Sequence, residues 1–375
     1  MGQPASFCEG FGSRLYGQSK AVALVENVNL MKCAHSSFLT VSVLLILTLI
    51  APLTGAGQAI ATVDPNAASN KSVEDISNAA LSGSQMHADP TMVLEKAENR
   101  DFTREFVAVQ WRPSDRIYLF VVRPKNVPKP PVAIYLYGHP SDTDRFMDDG
   151  WCRRTTGGGY AAVGLVPALT GHRYHDRPMK QWFVSELQEA LGKSAHDVQM
   201  VLNYLAERGD VDMGNVGVFG VGAGGTIAVM TASVDPRIKA IDLLDPWGDW
   251  PVWMQKSDVI PEEERPAFVK PEFLKKVADF DPVKLLPGLK TPHIRLNQLD
   301  NDVASTPEEA KKQMEAALPA TAEHHRFATS AQFFGEVASG GRVFDWLKAQ
   351  LKAPDPKVRE ASQETRPGTG SGSGK

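Results

Sequence analysis

The chain is expected to be an α/β protein whose mostly parallel central sheet is flanked by helices on both faces. Two observations predict this. Strand-length apolar runs alternate with helical patterns from about residue 130 to residue 351, and a pair of strands ahead of them reads as antiparallel. A third observation locates a site. Ligands of such sheets lie beyond the carboxyl ends of the strands, where this chain has a Gly-rich turn and two polar clusters.

The opening pair spans 106–110 and 117–122, turning through 113–115. Segments 132–137 and 161–166 are apolar enough to be buried strands. Val184, Leu187, Leu191, Val198, Val201, Leu202 and Leu205 trace the stripe of a long helix. Strand 216–219, a helix over 223–231 and strand 238–244 follow. Residues 246–289, rich in Pro, Trp and charge, read as a lid-like insertion before the next strand. Strand 293–296, helix 307–317, strand 324–328 and helix 336–351 complete a domain over 101–353. Ahead of it, 62–100 reads as a flexible leader with one short helix near 92–98, and 354–375 reads as a disordered tail.

Composition narrows the function classes. Charged residues make up 22% of the 375 residues and the net charge is -4, with both signs mixed along the chain. No Lys/Arg cluster marks a nucleic-acid surface, so a nucleic-acid partner is not expected. Met31 and Lys32 precede an apolar run over 38–53, and Ala59-Ile60-Ala61 fits the small-x-small cleavage rule. The run is shorter than the roughly 20 residues of a comfortable span. A cleaved signal peptide over about 31–61 and a secreted or periplasmic destination are expected, with no stable membrane span after cleavage; an uncleaved N-terminal anchor is the alternative. Met1 and Met31 both remain open as the start. Cys8 and Cys33 precede the apolar run, so cleavage leaves Cys152 alone and allows no internal disulfide.

The segment Asn215-Val216-Gly217-Val218-Phe219-Gly220-Val221-Gly222-Ala223-Gly224-Gly225 resembles the strand, elbow and helix start of the G-x-S-x-G motif. On it the chain resembles the α/β-hydrolase superfamily, especially secreted esterases and the dienelactone hydrolase and prolyl-oligopeptidase branch. The resemblance implies that Gly222 stands at the nucleophile position, where there is no side chain. Asp300, in Leu299-Asp300-Asn301-Asp302-Val303, stands at the acid position. The histidine is implied just after the last strand, where the sequence has Ser330-Ala331-Gln332-Phe333-Phe334, so Gln332 stands in its place. Glutamine does not accept a proton near neutral pH. In Tyr137-Gly138-His139-Pro140 the resemblance implies an oxyanion loop, whose backbone N–H with that of Ala223 would form an anion-binding nest above Gly222.

Two further clusters fall at carboxyl ends of strands and are expected to line the crevice with His139 and Ala223. His172, Arg173 and His175 follow strand 161–166, and Asp245, Trp247 and Asp249 follow strand 238–244. Arg173 is expected to pair with Asp245 or Asp249, with the tryptophans holding the insertion onto the core. A metal held by His172, His175 and a carboxylate is the less favoured reading, and neither metal nor cofactor is expected. A phosphate loop at Gly220–Gly225 is disfavoured because no Lys-Ser/Thr follows it. Three functions stay open. The preferred one is a non-catalytic protein binding a small molecule or peptide in the crevice. The others are a hydrolase using a metal-held water, Asp245 or Ser141, and a scaffold whose crevice is filled by its own insertion.

Overall fold

A computed structural model describes residues 90–351 apart from 113–114, 140, 142, 175–182, 301–305 and 341. The expected signal peptide and the tail from 354 lie outside the described residues. Among the described residues nine strands form one sheet: β1 (Met92–Glu98), β2 (Phe102–Arg112), β3 (Asp115–Pro124), β4 (Pro131–Leu136), β5 (Ala161–Leu165), β6 (Asp212–Val221), β7 (Ile238–Leu244), β8 (His293–Leu299) and β9 (Glu323–Phe327). Their order is β1-β2-β3-β5-β4-β6-β7-β8-β9. Pairings from β1 through β3 to β5 are antiparallel, and those from β5 through β4, β6, β7 and β8 to β9 are parallel.

Among the described residues, ten α-helices connect or cover the strands: α1 (Asp149–Thr156), α2 (Leu187–Arg208), α3 (Ala223–Val234), α4 (Trp250–Lys256), α5 (Arg265–Phe268), α6 (Pro271–Val277), α7 (Pro282–Leu285), α8 (Glu308–Ala316), α9 (Ser330–Gly340) and α10 (Arg342–Gln350). Period-2 alternation divides the core. Val132, Ile134 and Leu136 of β4 face one side with Leu191, Val198 and Leu202 of α2, Ile227 of α3 and the aromatics of 246–289. Ala133 and Tyr135 face the other side with Phe146, Cys152, Phe333 and Leu347. Every residue of β4 and β5 is buried, as a parallel strand covered on both faces requires.

Two expectations are corrected. Residues 92–98 form edge strand β1 rather than a helix in a flexible leader, because pairing with β2 overrides the helical propensity of Met-Val-Leu-Glu-Lys-Ala-Glu. The last helical segment begins at Ser330, six residues earlier than 336, since Thr329 caps it: its Oγ1 accepts from the Gln332 N–H at 3.1 Å. The insertion over 246–289 is held onto the core by its tryptophans, as expected. Trp250, Trp253, Met254, Phe280 and Leu286 are at most 1% exposed and complete the core on their face of the sheet.

Candidate functional site at the strand-to-helix elbow

The end of β6 turns directly into α3 at Gly222, whose φ of 53° and ψ of -120° lie where side chains are disfavoured. Glycine reaches this conformation without a Cβ clash, so the turn forms unstrained. The approach is enforced by small neighbours. A Cβ on Gly220 would stand 2.5 Å from Gly224 O, and one on Gly224 would run into Leu136 O of β4. A Cβ on Gly138, in the loop after β4, would lie 2.6 Å from Val221 O and 3.5 Å from Ala223 N. Loop, strand and helix therefore meet backbone to backbone.

The Gly222 backbone is bound on every side. Its N–H donates to Leu244 O at 3.0 Å, and its carbonyl accepts from Gly225 N at 3.0 Å, Thr226 N at 3.2 Å and Trp247 N at 3.3 Å. The Thr226 hydroxyl donates to Trp247 O at 2.6 Å. These bonds draw the loop after β7 over the elbow. Trp247 ends with its indole against Gly222: the three atoms nearest a Cβ built there are all of Trp247, with Nε1 at 3.1 Å. Trp247 is 2% exposed. Around it the ring centroids of Trp253 and Phe183 lie at 4.5 and 5.9 Å, and His139 stacks on Phe183 at 5.8 Å. Burial lowers the His139 pKa to about 4, so its imidazole is neutral at neutral pH. The indole N–H groups of Trp250 and Trp253 are buried with no hydrogen-bond partner among the described residues.

Asp245 and Asp249 lie on the same loop but serve structure. The Asp245 carboxylate accepts from Leu299 N at 3.1 Å and lies 4.0 Å from the buried Lys311 Nζ, tying β7 to β8. Asp249 and Trp250 donate their backbone N–H groups to Asp281 at 2.9 and 3.0 Å. Burial, aided by the Asp281 charge, raises the Asp249 pKa. Arg173 does not pair with either residue of this loop. Its guanidinium, 2% exposed at the side chain, bonds Asp197 Oδ2 at 2.7 Å, Asp115 Oδ2 at 2.7 Å and Val166 O at 3.1 Å. Asp197 also accepts from Trp111 Nε1 at 2.9 Å and from Arg112. Burial raises the Asp197 pKa, but the Arg173 and Arg112 guanidiniums outweigh it and hold the carboxyl below its ordinary value. An acceptor buried on α2 captures Arg173, which sequence adjacency to the crevice concealed. His175 lies outside the described residues, and His172 enters only as backbone in the turn Gly171–Tyr174.

Asp300 follows β8 as expected, but its carboxylate is taken by Arg326 of β9: Nε lies 2.8 Å from Oδ1, and Arg326 also bonds Glu308 at 2.8 Å. Gln332 is exposed in the first turn of α9, where its Oε1 accepts from Ala328 N at 2.9 Å. It caps the helix that Thr329 begins. The structure thus places Gly222, Ala223, Gly138, His139 and Trp247 together, while Asp300 and Gln332 are engaged elsewhere. Phe183, Thr226, Trp253 and Asp281 complete the elbow's surroundings and were not singled out in the sequence. For Trp253 a signal exists: Trp247, Trp250 and Trp253 recur at the i, i+3, i+6 spacing of one helical face.

This arrangement, an antiparallel pair leading into parallel strands with a φ-positive elbow between strand and helix, is that of the α/β-hydrolase fold. More narrowly, residues 118–243 match the Dienelactone hydrolase family. The fold is similar to that of the acetyl xylan esterase from Paenibacillus sp. R4, with TM-score 0.59 and 16% identity over 75% of this chain and 95% of that one. Acetyl xylan esterase 1 from Thermoanaerobacterium sp. JW/SL YS485 gives TM-score 0.57 and 14% identity, covering 71% of this chain and 90% of that one. The S-formylglutathione hydrolase from Agrobacterium tumefaciens gives 0.52 and 18%, covering 69% and 99%. A search of curated proteins finds no significant match. At these identities the neighbours establish fold alone.

Proposed function

We propose that this protein is an exported, non-hydrolytic member of the superfamily that holds a ligand or partner at the elbow. The observation that carries the reading is Gly222 itself. It keeps the backbone geometry of a nucleophile elbow, presents no hydroxyl, and lies under the Trp247 indole. Among the described residues the expected base position holds no histidine either. Gln332 caps a helix in solvent, and His139, with a pKa of about 4, is too weak a base to take a proton from a hydroxyl near neutral pH. The Asp245 carboxylate, the alternative nucleophile, is occupied by Leu299 N and buried against Lys311.

Hydrolysis of p-nitrophenyl acetate and butyrate tests the reading. The protein is expected to give no turnover above buffer, and turnover proportional to protein concentration would overturn it. Export rests on the run at 38–53 followed by Ala59-Ile60-Ala61. N-terminal sequencing of protein from the extracytoplasmic fraction is expected to start at or near Thr62, and cytoplasmic protein retaining 31–61 would contradict export.

A further inference from the structure

We propose that the protein self-associates through the outer edge of β1, two copies joining antiparallel about a two-fold axis at Val93 so that one sheet runs through both.

The two edges of the sheet differ. β9 ends it on one side with Glu323, His325 and Arg326 exposed, a charged edge of the kind that resists a further strand. On the other side β1 pairs only with β2 among the described residues, and it opens with Met92, Val93 and Leu94, which are 54, 51 and 44% exposed. Three consecutive large apolar side chains beside an open row of backbone N–H and C=O groups form a template for another strand. Phe106 and Tyr118, half-buried and stacked at 5.6 Å, lie on the same sheet face as Met92 and extend the apolar surface.

Three observations favour a second copy as the occupant. The charges of β1 are already paired within the chain: Lys96 lies 3.0 Å from Glu98, Lys125 3.2 Å from Glu98, and Arg104 3.8 Å from Glu95. What the strand offers a partner is therefore its apolar half. Residues 62–89, which lead into β1, contain no strand-length apolar run to cover that half. Register is the third observation. Residues opposite each other on antiparallel strands point to the same side of the sheet, and a two-fold axis normal to the sheet keeps each residue on its own side. One residue must then face its own copy. With Glu95, Lys96 or Glu98 on the axis, like charges meet. With Ala97 there, Lys96 faces Glu98, but the apolar run is thrown past the end of the partner strand. Val93 is the one residue whose place on the axis sets Met92, Val93 and Leu94 each against another of the three. The bulge between Val93 and Glu95 breaks the edge just beyond, so the seam stops before the charges. A seam this short makes a reversible dimer, of roughly micromolar strength or weaker.

Sedimentation velocity of the purified protein over a concentration series tests the association. The wild type is expected to move from monomer toward dimer as concentration rises. Val93→Lys sets lysine against lysine at the axis, and is expected to raise the dimer dissociation constant about tenfold or more. Lys96→Glu, which would put Glu against Glu in the Ala97 register, is expected to leave the constant unchanged. Oxidative cross-linking gives a second measurement that stands even where Val93→Lys fails to fold. With Cys8 and Cys33 changed to serine and Cys152 buried, Val93→Cys is expected to form a disulfide-linked dimer. Glu98→Cys in the same background is not, because its two copies stand about 30 Å apart at the strand rise. A wild type that stays monomeric throughout, a dimer untouched by Val93→Lys, or equal cross-linking at 93 and 98 overturns the proposal. In a monomer, slow reaction of Val93→Cys with a maleimide would assign the edge to the chain's own leader, and fast reaction to a different partner. Either result overturns it too.

Discussion

The carboxyl end of β6 and the carboxyl ends of β8 and β9 hold the two halves of what an α/β-hydrolase would use, and they are built in different ways. At β6 the turn is buried and made of backbone: Gly222 has all its polar groups bonded within 3.3 Å, and the glycines around it leave no room for a Cβ. At β8 and β9 the residues are half-exposed and made of charge. Asp300, Arg326 and Glu308 form a surface cluster, and Gln332 caps a helix in water. The first region is held by packing that would be needed whatever the protein does. The second is held by pairs that are individually weak and free to be rearranged. Packing geometry persists at the elbow because the core depends on it, whereas acid and base positions contribute little to the fold.

The sharpest way to break this contrast is to crowd the elbow. Gly224→Ala drives a Cβ into Leu136 O, a backbone atom that moves only if β4 moves, so a loss of about 3 kcal/mol or more is expected in urea unfolding. A near-neutral result would show that the elbow is not tightly built.

His139 supplies a pH-dependent test of the same burial. Its folded pKa of about 4 lies below an unfolded value of about 6.5, so the unfolded chain binds the proton first as pH falls. The stabilisation is complete above about pH 7 and is lost between about 6.5 and 4, amounting to up to about 3 kcal/mol. The unfolding free energy of the wild type relative to His139→Gln is expected to fall over that window. A flat difference would mean that the crevice is wetter than its aromatic walls imply.

Smaller effects are expected at the elbow glycine and at the surface cluster. Gly222→Ser is expected to destabilise by about 0.5–2 kcal/mol, since serine at φ 53° and ψ -120° is strained and the indole N–H offsets only part of that cost. Asp300→Ala is expected to change stability by less than about 1 kcal/mol, because its partner Arg326 keeps Glu308. Equal effects at the two positions would erase the contrast.

Much of this was legible in the sequence. The order of the core strands, the long α2 and the elbow at Gly220–Gly225 follow from apolar period and glycine spacing, which act locally. Edge strand β1 was not legible, because Met92–Glu98 becomes a strand only by pairing with β2. Nor was the fate of Arg173, whose partners Asp115 and Asp197 lie 58 and 24 residues away in sequence and are brought close only by the fold. Gln332 could be placed after the last strand, but its capping of Ala328 N depends on where α9 begins. On sequence alone, restoring serine and histidine together with Asp300 in place promises weak esterase activity. With Asp300 held by Arg326 and residue 332 in solvent, the double variant Gly222→Ser/Gln332→His is expected to remain inactive.

The central claim is that the elbow carries no activated nucleophile, and labelling with a serine-directed fluorophosphonate tests it most directly. Wild-type protein and Gly222→Ser/Gln332→His are incubated with the probe, digested and mapped by mass spectrometry. The account predicts no adduct on any serine of the wild type and no rapid adduct at position 222 of the variant. A stoichiometric adduct on a wild-type serine, accompanied by loss of ester turnover, would contradict it.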